Sequence, residues 1–144
     1  MVTNYDVGRI FLEMAEALEL RGEDPFRIRA YQNAARTVLA LSEPLPEIRG
    51  RGELQALEGI GERMAAKIEE ILDTGHLRQH DELMREFPPG VMELLRVPGI
   101  GPRTAETLYE QLGITNIDEL ERAAQEGRIR ELRGGDINVL NGPD

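Results

Sequence analysis

Of the 17 basic residues in this 144-residue chain, 16 are arginines and one, Lys67, is a lysine. A primary amine can do what a guanidinium cannot. Once neutral it adds to an aldehyde to form a Schiff base, whereas arginine stays charged because its pKa exceeds ~12. Neutrality is the condition, since an ordinary lysine titrates near ~10.4 and its free amine is scarce at neutral pH. The neighbours legible in the chain act in both directions. Lys67 falls in the opening turns of an expected helix, near the positive end of its dipole, and Arg63 stands one turn back on the same face; both lower an amine pKa. Glu70, three residues on, raises it, and is also a candidate base for a following β-elimination. The competing reading of Lys67 is a solvated helix lysine in a chain that otherwise favours arginine.

His76 and His80 stand four apart, a spacing from which two helix-borne histidines bind a metal. Only Asp81 or Glu82 offers a third ligand, so exposed helix-surface histidines are the better reading.

The second chemistry is one of backbone. Leu54 to Leu72 reads as a helix, a Gly59-Ile60-Gly61 turn and a second helix, with Met64, Ala65, Ile68, Ile71 and Leu72 recurring at helical spacing. Glycines on both sides of Ile60 let the chain turn tightly through φ > 0, and Ile60 plugs the gap between the helices. Amides exposed at the start of the second helix then form an anion site that needs no side chain. A single turn of this kind fits a plain αα-hairpin equally well. The pattern, however, recurs at an offset of 40 residues, Gly59 to Gly99. Leu54, Leu57, Gly59, Ile60, Gly61, Arg63, Ala65, Ile68 and Leu72 are matched by Leu94, Val97, Gly99, Ile100, Gly101, Arg103, Ala105, Leu108 and Leu112. Two phosphate-holding turns on one chain suggest a module that grips a nucleic-acid backbone at two points.

These residues require helices to carry them. A first helix is expected from about Thr3–Asp6 to Gly22, with Ile10, Phe11, Met14 and Leu18 as its stripe. Asp24 and Pro25 are a natural cap and first residue for a second, running through Phe26, Ala30, Ala34 and Val38 to about Leu41. Residues 42–52, rich in Pro and Gly, read as a loop. A short helix from Glu53 leads into the first turn, the helix leaving it ends at Gly75, and another covers His76 to Phe87. Pro88-Pro89-Gly90 is the best internal boundary. A short helix then precedes the second turn, whose following helix ends near Gly113. Asn116 and Asp118 cap a helix of about Ile117 to Gln125, stopped at Gly127, and Arg128 to Arg133 adds a turn. The expected division is therefore 1–88, 89–133 and a tail, 134–144, with no helical period and no expected order.

Composition sets bounds. With no cysteine, disulfides and thiolate metal sites are excluded, as suits a reducing cytoplasm. No run approaches the ~20 apolar residues of a membrane span. The formal charge of −10 opposes nucleic-acid binding by bulk attraction, and makes hairpin amides and a local face of Arg27, Arg29, Arg36, Arg63 and Arg103 carry any such binding.

The succession of DPFRIRAYQNAAR, LEGIGERMAAKIEEILDTG, LLRVPGIGPRTAETLYEQLGI and IDELERAAQEGRIREL resembles the N-terminal region of family X DNA polymerases, the polymerase-beta-like repair enzymes, and of their bacterial members above all. The resemblance covers residues 4 to 133. It implies an all-α fold of two tandem helix-hairpin-helix units: a lyase-type domain, followed by a second unit that grips the other strand near a primer end. No acidic triad of a polymerase palm is visible, so polymerisation is not expected of this chain. The resemblance further implies backbone phosphate contacts at Gly59, Gly61 and Arg63 and at Gly99, Gly101, Arg103 and Thr104. It implies a monovalent cation, Na+ or K+, held by the carbonyls of Gln55, Leu57 and Ile60 and by those of Leu95, Val97 and Ile100. Lys67 falls at the position of the Schiff-base amine of lyase-competent relatives, and Arg27 and Tyr31 keep a cation and a phenol of the pocket. Phe26, Gln55, Ala66 and Gln79 depart from the lyase pattern, which weakens the 5′-phosphate pocket. The expected function is a monomeric, cytoplasmic module for gapped, nicked or 5′-phosphorylated DNA, without an organic cofactor. A 5′-deoxyribose-phosphate lyase acting through Lys67 and a protein-interaction module are the alternatives, and the chain reads equally as complete, excised or truncated.

Overall fold

A computed structural model describes residues 1–87 and 90–131, and among them every regular element is helical. Residues 88 and 89 of the expected boundary and the expected tail at 134–144 lie outside the described residues. Contacts cluster into two units, Met1–Arg85 and Glu86–Asp144.

In the first unit, α1 (Asn4–Leu20) begins with a capping box between Thr3 and Asp6 and packs along α2 (Pro25–Leu39), which Asp24 caps through the Phe26 amide. The two approach closely at Gly8, where a Cβ would stand 2.5 Å from Leu39 Cδ2. Phe11 meets Tyr31 edge to face at 5.9 Å. The core face of α2 is Ile28, Tyr31, Ala34, Ala35 and Val38. Phe26, in the first turn of α2, lies off that face and is 75% exposed.

The expected loop at 42–52 contains a helix, α3 (Leu45–Gly50). Its prolines do not prevent this, because Pro44 caps it and Pro46 lies in the first turn, where no amide is needed. Asn4 anchors it to α1, its amide donating to the Glu43 carbonyl at 2.7 Å while its Oδ1 accepts the Leu45 amide at 2.9 Å. After a 3-10 turn at Leu54–Ala56 come α4 (Glu62–Thr74), ended by Gly75 at φ +81°, and α5 (Arg78–Met84), shorter than the expected span to Phe87.

The second unit contains α6 (Val91–Leu94), α7 (Pro102–Leu112) and α8 (Ile117–Gln125), then a 3-10 turn at Arg128–Glu131. Asn116 caps α8 through the Glu119 amide at 2.8 Å, and Glu119 returns a bond to the Thr115 amide. Leu108, Ile114 and Ile129 fill the interior. No described helix is long and apolar enough to cross a membrane.

Candidate functional site

The repeated turns have nearly the same geometry. In the first, the Leu57 amide bonds to the Leu54 carbonyl at 3.2 Å, the Ile60 amide to the Leu57 carbonyl at 3.1 Å and the Ala65 amide to the Gly61 carbonyl at 2.9 Å. The corresponding bonds of the second, from Val97, Ile100 and Ala105, measure 3.1, 3.0 and 2.9 Å. Ile60 and Ile100 are both buried as plugs.

The two glycines of each turn do different work. Gly59 and Gly99 hold φ of +77° and +90°, the left-handed conformation that a side chain resists. Gly61 and Gly101, expected to share that role, are extended N-caps of α4 and α7 at φ −89° and −94°, where any residue is at ease. A Cβ on either would meet no atom within 4 Å. The fold therefore asks for the first glycine, and the second leaves open the space before the helix amides.

Arg63 and Arg103 are exposed in the first turn of those helices, and Thr104 beside Arg103 is half-buried. Among the carbonyls expected to hold a cation, those of Leu57 and Val97 each accept a turn amide, which leaves each a second lone pair. Gln55 and Leu95 lie in the segments just before the turns. Two residues that the sequence did not single out attach the first turn to α2: Thr37 Oγ1 donates to the Glu58 carbonyl at 2.7 Å, and Asn33 Cβ lies 3.6 Å from where a Gly59 Cβ would be. Their signal in the sequence was only two polar residues one turn apart on α2, with Gln32 and Arg36 as equally polar neighbours.

The lysine lies in the same unit. Lys67 is half-buried on α4. Burial is the first cause that holds its amine below the ordinary lysine range, followed by the charge of Arg27, while Glu70 opposes and Arg63 adds a smaller push. Arg63 was expected to matter, but burial and Arg27, forty residues away in the chain, outrank it. Arg27 also bonds the Tyr31 hydroxyl and pairs with Glu23 at 3.4 Å. Tyr31 is 2% exposed, and burial raises its phenol further, so it remains a neutral group at neutral pH. Glu70 has a structural task as well: its Oε2 accepts the Arg78 amide at 2.6 Å at the start of α5, leaving its other oxygen for any base role.

The two histidines both approach Asp81, His76 Nδ1 at 3.8 Å and His80 Nδ1 at 3.7 Å, but differ in exposure. His76 is exposed, as expected, but the His80 side chain is only 14% exposed and its Nε2 lies 2.7 Å from Oε1 of the buried Glu13. Glu13 lies on α1, so the imidazole pins α5 to α1 instead of facing solvent. Among the described residues no three His, Cys, Asp or Glu side chains group to hold a metal.

Residues 2–77, carrying α1 to α4 and the first turn, match the helix-hairpin-helix domain family. The chain belongs to the helix-hairpin-helix family. Residues 91–134 match a second family, the SAM-like helix-hairpin-helix tandem. The chain is 30% identical over 129 residues to the DNA polymerase/3′-5′ exonuclease PolX of Bacillus subtilis (strain 168), an alignment of 90% of this chain and 22% of that protein. It is 31% identical over 112 residues to DNA polymerase lambda of Rattus norvegicus, covering 77% of this chain and 18% of the relative. These likenesses bear out the resemblance to a family X polymerase N-terminal region. The chain spans about a fifth of the length of the curated relatives that it matches.

Proposed function

We propose that this helix-hairpin-helix chain is a DNA-binding module that holds gapped or nicked, 5′-phosphorylated DNA by its backbone, one phosphate at each hairpin. The observation that carries the reading is the open space before α4 and α7, kept clear by Gly61 and Gly101 although the fold does not require glycine there. A phosphate oxygen entering that space meets amides at the positive end of a helix, with Arg63 or Arg103 beside it. The donor set also suits a monovalent cation: a hard ion takes carbonyl oxygens, and Gln55, Leu57 and Ile60, with Leu95, Val97 and Ile100, would supply them, adding positive charge against the phosphate. The likeness to two DNA polymerases supports the same partner.

The test uses the same open space. Gly61→Val and Gly101→Val place a side chain where the chain itself has none, so circular dichroism should stay native while affinity for 5′-phosphorylated gapped DNA falls at least tenfold in each. Native spectra with unchanged affinity in both variants would defeat the proposal, and binding only to other proteins would favour a docking module.

A second reading, a 5′-deoxyribose-phosphate lyase acting through Lys67, is favoured by one specific observation. The chain's lone side-chain amine is half-buried beside Arg27, and both conditions increase its neutral, nucleophilic fraction.

A further inference from the structure

The acidic chain has one long helix of opposite character. α2 carries three arginines and no carboxylate in its 15 residues, although the whole chain has 27 carboxylates in 144 residues and a charge of −10. Random placement would give α2 nearly three, as 15 × 27/144 = 2.8. Its arginines divide by face. Arg27 is engaged with Glu23 and Tyr31 beside Lys67. Arg29 and Arg36, two helical turns apart and therefore on a common face with Asn33 between them, are exposed. Among the described residues neither forms an ion pair, whereas Arg9, Arg49, Arg51 and Arg78 each hold a carboxylate. The Arg29 guanidinium lies 5.8 Å from the centre of the Phe26 ring, which restrains it on this face.

This face leads to the first hairpin. Asn33, between the two arginines, is the residue against which Gly59 turns, and Thr37, next to Arg36, bonds the Glu58 carbonyl. Arg29 and Arg36 are separated by about 10 Å along the helix axis, at ~1.5 Å per residue. At ~3.4 Å per nucleotide, that is the rise of about three nucleotides of one strand.

We propose that Arg29 and Arg36, with Asn33 between them, form a second backbone-binding track on α2, which takes phosphates of the same DNA strand that the first hairpin holds. The track rests on the DNA-binding reading above and extends it from one phosphate at the turn to a run of about three nucleotides beside it. Arg36 also lies in the last turn of α2, where a cation favours the helix dipole; that role alone would show in stability and not in salt dependence.

The experiment measures binding of the full chain to 5′-phosphorylated gapped duplex over about 50 to 200 mM salt, a range in which phosphate contacts are separable by slope. Arg29→Gln with Arg36→Gln should lower the slope of log affinity against log salt by about two, near 0.9 per lost contact, with an unchanged melting temperature. Arg29→Lys with Arg36→Lys should restore the slope, and Arg78→Gln, which removes an equally exposed but paired arginine, should leave it unchanged. An unchanged slope in the glutamine double variant overturns the track. If Gly61→Val still weakens binding in that case, the hairpin reading survives alone. Affinity lost only in step with melting temperature also overturns the track, and a wild-type chain that binds no DNA overturns both.

Discussion

At the scale of single residues, Lys67 is the sharpest point, because no second side-chain amine competes with it. If it is the nucleophile, borohydride should trap the protein covalently on DNA bearing a 5′-deoxyribose phosphate by reducing the Schiff base. Lys67→Arg should abolish trapping while keeping the charge. The one other amine is the exposed α-amine of Met1, and acetylating it should leave trapping intact. The pH dependence has a definite sign. Burial and Arg27 lower the Lys67 pKa, so the neutral fraction, and with it the trapping rate, should rise through an inflection below that of an ordinary lysine. Arg27→Gln should move the inflection to higher pH, which a merely phosphate-binding arginine would not do. Trapping that survives Lys67→Arg but vanishes on acetylation would assign the chemistry to Met1. The sequence made the lone lysine visible but not its cause of activation. Burial is a property of packing, and Arg27 comes near only because α2 and α4 belong to one small unit.

At the scale of elements, glycine has three separate uses in this chain, and only the structure tells them apart. Gly59 and Gly99 serve a left-handed turn, while Gly61 and Gly101 serve open space. Gly90 serves both conformation and closeness: it caps α6 at φ +94°, and a Cβ there would overlap the Thr115 carbonyl oxygen and Asn116. Gly90→Ala should therefore destabilise the second unit by about 2–4 kcal/mol, the sum of left-handed strain and overlap with backbone that cannot yield. Gly61→Ala should cost about 1 kcal/mol or less, a capping preference alone. Denaturant melts of the two variants, compared with wild type, check the contrast, and equal losses would contradict it. Most helix limits were legible for an equally local reason. Caps such as Asp24-Pro25, Asn116 and Gly113 fix their ends by short-range hydrogen bonds and dihedral limits, so α8 spans the residues expected of it. What was not legible depended on distant partners. The α3 helix has its start held by Asn4, and the burial of His80 follows from Glu13, 67 residues away.

At the scale of the whole molecule, charge and duplication decide how binding should behave. A net charge of −10 repels a polyanion at long range, so the short-range contacts at α2 and the hairpins must outweigh it, and salt acts on both terms. The two units each carry one hairpin of nearly identical geometry, with an open helix start and an arginine in the turn that follows it. Such a site is weak by itself. Joined in one chain, the second contact becomes intramolecular once the first has formed, and linkage of this kind raises affinity over that of either site by ~10² to 10⁴ without any new contact. Wild-type affinity for a gapped duplex should accordingly exceed that of Gly61→Val and that of Gly101→Val by similar, large factors. The double variant should add only the loss of the remaining weak site. Fluorescence anisotropy on one labelled duplex measures all four proteins. If either single variant binds as wild type does, the hairpins do not hold the same DNA molecule together, and the duplicated turn then serves two separate partners.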